Sequence, residues 1–389
     1  MPQPADTAWF PLAGYSQVTF GVSPQTTTLA VADGNVVFLL GGHTYTVTNP
    51  SSVWPFSINV GDAEDVYTAR LTLDNGTLAG RYAVIGAITH SGGTVVVGPD
   101  ATWTNTGSLY LGYGGTGVLN VQNGGVLTSQ HGRIGLLPGS MGEAIVTGAG
   151  SAWETGDLSV GGSATASGSP GTLTVGGGGR VSASGTLKVW LPGTVTLKAG
   201  GRIAIQAFDL SGGTFNWAAG TLQFTNDLLV GPGQPFGSSV TVGSGRYLEV
   251  GGTLTVEPGG TVTLDGGSIA TQAFTEAGTF NHHDGTFYVL GGTYNPGTSD
   301  LTVDGNTPAA LPHLVLDGVT SELFFGLRIG DDAKGALTVS GGTVLDCGGW
   351  FGGSAGERYI GYAAGSDGTV TVDGLDSQLT TGDARLYVG

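Results

Sequence analysis

The sequence predicts an all-β fold, a right-handed parallel β-helix (β-solenoid) of about 25 residues per coil. Three observations carry that expectation: a fixed beat of strand ends, apolar–polar alternation over short runs, and the lack of any helical pattern. The beat is read at Val60-Gly61, Ile85-Gly86, Leu111-Gly112, Ile134-Gly135 and Val160-Gly161, spaced by 25, 26, 23 and 26 residues. Alternation is plain at Leu119/Val121, Leu173/Val175, Leu187/Val189, Val195/Leu197, Val262/Leu264 and Val370/Val372. Asn, Thr or Lys stands between each pair, so one face of the strand is dry and the other wet. No stretch spaces its apolar residues at i, i+3, i+4 and i+7, so helical crossovers between parallel strands are excluded. Coils with about three short strands, each three to five residues long, satisfy all three observations. Glycines fall at the corners, where positive φ angles cost them nothing, and avoid strand centres.

Alternate beats match better than adjacent ones, so the repeating unit is a pair of coils. Trp103 and Trp153 are 50 residues apart, and Ile85 and Ile134 are 49 apart. Residues 139–157 align without a gap on residues 365–383 at an offset of 226, which also superposes Ile134-Gly135 on Ile360-Gly361. Leu111-Gly112 falls on Ile329-Gly330 at an offset of 218, leaving eight inserted residues around Cys347, Trp350 and Phe351. The units are residues 58–108, 109–161 and 327–389, with looser coils over 162–326. A second module lies among the looser coils, where residues 213–224 (GTFNWAAGTLQF) match 278–289 (GTFNHHDGTFYV) at an offset of 65. Residues 1–52 do not align and are expected to form an N-terminal cap or irregular first coil on a solenoid of residues 53–389. Trp103 and Trp153 are placed at equivalent corners. The third equivalent is Leu379, which cannot stack on a sugar ring, so corner packing is favoured over a sugar ladder.

Composition narrows the function classes. The 75 Gly and 16 Pro among 389 residues follow no third-position register, which excludes collagen. A hydrophobic share of 39% supplies a core that a disordered chain lacks. Twelve Lys plus Arg against 29 Asp plus Glu leave a net charge of −17, which argues against nucleic acid and anionic membranes as partners. No segment approaches the apolar length of a membrane span, so no membrane insertion by this segment is expected. Cys347, in LDCGGW, has no partner for an intramolecular disulfide and no activating neighbour. It reads as a small buried filler.

No nucleotide-binding loop, HExxH or GxSxG occurs, and no catalytic, cofactor-binding or metal residue is assigned. The nearest acidic groupings are Asp373 and Asp376 near Asp383, and Asp331 with Asp332 before Lys334. Asp373 and Asp376 align on Thr147 and Gly150, as turn variants of a structural position. His282, His283 and Asp284 look like a metal cluster, but they align on Trp217, Ala218 and Ala219, and no further His or Cys joins them. Asp33, Asp265, Asp284, Asp304, Asp317, Asp367 and Asp373 precede corner glycines. Calcium there competes with the ordinary turn role of Asp-Gly, and the calcium-roll nonapeptide is absent.

Strings of the form LxVGxxGxGxLxVxxGG followed by IGxxxGSxGxxxVxGxGSxWxxxGxLxVG resemble the repeat of bacterial autotransporter (type V secretion) passenger regions and PEP-CTERM-associated proteins. Residues 109–161 carry the resemblance best, and 58–108 and 327–389 clearly. It implies a β-helical passenger exported to the bacterial surface, non-enzymatic, with a structural or adhesive role and with surface polysaccharide or other surface proteins as partners. The alternative is a carbohydrate-active β-helix enzyme, a polysaccharide lyase or glycoside hydrolase, which needs several acids and a cation converging from successive coils. MPQPADTAWF has neither the basic start nor the apolar run of a signal peptide, so the chain is expected to be cytoplasmic or a fragment. LYVG stops inside a coil, so the natural protein is expected to continue past Gly389.

Overall fold

A computed structural model describes residues 6–49, 56–297, 300–321, 324, 326–348, 350–351, 354–355, 358–382 and 385–389. Parallel strands stack as a β-solenoid of about 14 turns with a spacing of roughly 25 residues. There is no helix among the described residues, hence none long and apolar enough to cross a membrane. The chain divides into two compact units, Met1–Gly220 and Thr221–Gly389.

In the first unit each coil has three faces. The first face stacks the strands that set the beat, pairing Val60 with Ile85, Ile85 with Leu111, Leu111 with Ile134 and Ile134 with Val160. The second face is a nine-stranded parallel sheet running from Tyr15–Thr19 to Thr214–Trp217. Its inward residues Leu71, Val95, Leu119, Ala144, Leu173 and Val195 form one continuous, solvent-free column. Each buried leucine or valine in such a column contributes about 1.5–3 kcal/mol relative to exposure.

The third face explains why the sequence repeats in pairs of coils. Leu78, Trp103, Leu127, Trp153 and Val181 stack in register, all with 1% exposure or less. Rungs sit about 4.8 Å apart, and two indoles on consecutive rungs compete for the same interior width, so a large ring alternates with an aliphatic side chain. The tryptophans are thus mid-strand and inward in Ala101–Asn105 and Ala152–Val160, and the corner placement is corrected. The sequence ATWTN alternates like any other strand here, and its Thr residues take the wet side. The indole N–H of Trp153 donates to Ser129 Oγ at 3.1 Å, and Ser129 in turn donates to Thr155 Oγ1 at 3.0 Å. Trp103 Nε1 has no such partner among the described residues.

Strands are longer than the three to five residues expected. Val126–Ile134, Arg180–Trp190 and Thr261–Glu276 run through two faces without a glycine turn. Register shifts such as those between Thr155 and Leu158, and between Val250 and Thr253, bend the chain instead.

At the long corner after the first face, the beat glycine meets the rung above. Gly112 has φ +68°, and a Cβ on it would lie 2.1 Å from the carbonyl oxygen of Met141. A Cβ on Gly117 would lie 2.2 Å from that of Ile85. Glycine is thus required twice, by conformation and by close approach of neighbouring coils.

Residues 7–47 make two coils of the same solenoid. Thr7–Phe10, Tyr15–Thr19 and Gln25–Thr26 pair in register with Thr28–Val31, Asn35–Leu39 and Thr44–Val47. The second coil pairs in turn with Ile58–Val60, Ala69–Asp74 and Gly76–Gly80. Their internal offset is 20–21 residues, because their corners are short, and this hides them from a 25-residue comparison.

In the second unit the coils begin narrow. Val262 pairs with Phe280 and Ile269 with Phe287, 18 residues apart, whereas Phe287 pairs with Leu314, 27 apart. The insertion expected around Cys347 lies between Val344–Asp346 and Arg358–Ile360, where Trp350–Phe351 pairs antiparallel with Ser354–Ala355. Cys347 is fully buried, and burial pushes its thiol up to about 12. Arg358, also fully buried, donates from Nε to the Cys347 carbonyl at 2.6 Å.

Candidate functional site

The acidic corners are occupied by the fold itself. Asp304 accepts the backbone N–H groups of Asp332 and Ala333 at 3.1 and 3.0 Å, one coil later. Asp284 accepts those of Gly285 at 2.9 Å and Leu311 at 3.0 Å. Asp33 accepts from Gly34 and Thr68, Asp317 from Ser340, and Asp373 from Gly374. Asp157 and Asp227, not singled out in the sequence, do the same for Thr186 and Thr253. A carboxylate accepting a backbone N–H from the next coil satisfies a donor that the corner would otherwise leave unpaired.

The remaining groupings do not converge. Asp331 pairs with Arg328 at 3.4 Å, and Asp332 engages Asp304 through its backbone N–H. Asp373 and Asp376 are exposed, and Asp376 sits in a turn with φ +63°. Asp383 lies outside the described residues. His282 occupies the place that alignment assigned to Trp217: its Nε2 is 3.0 Å from the Gly285 carbonyl, as Trp217 Nε1 is 3.1 Å from that of Gly220. Burial holds its imidazole down at about 4, so it is neutral and donates as the indole does. Among the described residues no group of three His, Cys, Asp or Glu is placed to hold a metal ion.

One place departs from regular stacking. Residues 279–284 pair with the coil below, and Asp300–Val303 pairs only with the coil above, within a separate four-stranded sheet. The other two faces continue across the same step, through the pairings of Phe287 with Leu314 and Tyr294 with Ser321. The cause is a change of coil type. Earlier in the unit the long connection, 231–238, precedes Ser239–Gly243, whereas here the long connection, 304–311, follows Asp300–Val303. The widened coil carries its strand away from residues 279–284, and a cleft of about 440 Å³ opens between them.

Glu276, Asp300 and Asp304 line the cleft together with the rings of Phe280, His282 and Tyr294 and the aliphatic Leu301, Val303 and Leu314. Glu276 Oε1 accepts the Phe280 N–H at 2.8 Å, capping a strand whose neighbour has moved away. Burial raises the Glu276 carboxyl above the ordinary glutamate range despite that bond. Tyr294 is buried, and burial with the nearby Glu276 charge raises its phenol. The rings pack closely, with centroids 4.8 Å apart for Phe280–Phe287 and 5.8 Å for Phe274–Tyr294. Sequence reasoning missed Glu276, Asp300 and Tyr294. The available signal was the long connection changing its place within the coil.

Comparison with known proteins finds no matching family model, no matching curated protein and no matching solved structure.

Proposed function

We propose that the chain is a non-enzymatic structural or adhesive solenoid of an exported bacterial surface protein. The observation that carries this reading is the commitment of corner carboxylates to coil-to-coil hydrogen bonds, which makes them part of the scaffold. The narrow coils add a surface suited to polar polymers. Thr172 and Thr174 lie beside Thr194 and Thr196, then Thr214 and Asn216, with side chains exposed or half-buried. The second unit repeats the pattern with Ser239/Thr241, Thr261/Thr263 and Thr279/Asn281. Such arrays present uncharged hydroxyl and amide groups about 4.8 Å apart between rungs, on a chain of net charge −17. The resemblance of residues 109–161 to surface passenger repeats supports the exported setting.

The test is co-sedimentation of purified protein with insoluble cell-surface polysaccharides, alongside an assay for new reducing or unsaturated chain ends. Binding without chain scission is expected. Release of new ends that grows with protein concentration overturns the reading in favour of a carbohydrate-active enzyme.

A further inference from the structure

We propose that the cleft between residues 279–284 and Asp300–Val303 is a binding site for a small organic cation bearing a quaternary ammonium head, of the chemical class of choline. This goes beyond the scaffold reading and does not depend on it.

The argument is charge and surface complementarity. Glu276, Asp300 and Asp304 all line the cleft, and no lysine or arginine does among the described residues. His282 is the one basic side chain there, and it is neutral at physiological pH. The site therefore carries uncompensated negative charge in a partly desolvated setting, where a cation is favoured more than in water. The remaining wall is apolar and aromatic, supplied by Phe280, Tyr294, Leu301 and Val303. Aromatic faces attract ammonium groups, and a methylated ammonium, which cannot donate hydrogen bonds, suits such a wall better than a hydrated metal ion. A divalent metal needs several free oxygens, but Asp304 already accepts two backbone bonds and Glu276 one. Glycine-bounded grooves on the outer face, such as that beside Tyr247 and Tyr288, lack an acidic lining.

The experiment is isothermal titration of the full chain with choline and with its neutral isostere 3,3-dimethyl-1-butanol. Nuclear Overhauser contacts from the choline methyls to assigned aromatic protons locate the ligand. Expected are saturable 1:1 choline binding with a Kd of about 1 mM or tighter, contacts to Phe280 or Tyr294, and at least about tenfold weaker binding of the isostere. Glu276→Gln keeps an oxygen to accept the Phe280 N–H but removes the charge, and should weaken choline binding about tenfold while leaving the isostere unchanged. Asp300→Asn serves as a second charge-removing variant, and circular dichroism checks that each folds. Equal binding of choline and the isostere overturns the proposal, as do choline contacts located elsewhere or no saturable binding.

Discussion

Replacing Gly112 by alanine tests whether the beat glycines lock neighbouring coils together, and Gly139 provides the control. Both have positive φ, +68° and +85°, so an alanine at either meets the left-handed penalty of about 1–2 kcal/mol. That penalty is partly offset by the stiffer unfolded chain, about 0.4–1 kcal/mol. They differ in surroundings: nothing lies within 4 Å of a Cβ on Gly139, whereas a Cβ on Gly112 falls 2.1 Å from Met141 O and 2.4 Å from its carbonyl carbon. Relieving that overlap requires the strand Met141–Thr147 to move away, straining the Gly112 N–H bond to Ile85 O at 2.8 Å. Gly139→Ala should thus cost about 1 kcal/mol, and Gly112→Ala about 3–5 kcal/mol. Stability along a solenoid is a sum of local interfaces, so the proper assay is residue-resolved hydrogen exchange. Protection should fall at Ser108–Leu111 and Met141–Thr147 and stay unchanged several coils away. Equal losses for the two variants would refute the lock, and so would a loss spread evenly over the chain.

Three further outcomes follow from the same geometry. Trp153→Phe removes a hydrogen bond to Ser129, whereas Trp103→Phe removes an N–H without a partner, so the first should destabilise its rungs by about 1–2 kcal/mol more than the second in the same exchange assay. His282 is held at about 4 in the fold by burial, against 6.5 when unfolded. Its neutral form therefore contributes stability that is complete above about pH 6.5 and lost as pH falls towards 4, at most about 3 kcal/mol and less where the cleft is wet. An NMR titration placing its midpoint near 6.5 would contradict this, and His282→Trp, the residue found at Trp217, should abolish that part of the acid sensitivity. Asp304→Ala leaves the Asp332 and Ala333 N–H groups without their acceptor and should speed exchange at both amides, and unchanged rates would remove the coil-to-coil role assigned to the corner carboxylates.

The strand ends at Val60, Ile85, Leu111, Ile134 and Val160 were legible because a glycine jammed against the next coil tolerates no substitute, so the sequence keeps it at every turn. The place of His282 was legible for a similar reason: the inward position needs a ring with an N–H to reach the carbonyl three residues on, which indole and neutral imidazole both supply. The coils of residues 7–47 were not legible, since parallel pairing constrains register between strands but leaves corner length free. Trp103 and Trp153 were misplaced because glycines beside a strand read as a corner, while inward or outward orientation follows from alternation alone. The cleft was the least legible feature. Its acids and rings come from Glu276, Phe280, Tyr294 and Asp300, unremarkable singly, and they become neighbours through a mismatch between coil types.

That mismatch also has a mechanical meaning. Where coils are joined on three faces, a pull on one strand is shared by three sets of backbone hydrogen bonds, and none can open alone. Between residues 279–295 and 300–321 two faces hold, and the third contributes side-chain contacts and the Glu276 cap. Under load this is the seam of the second unit that yields first, and peeling begins there with the coils on either side still zipped.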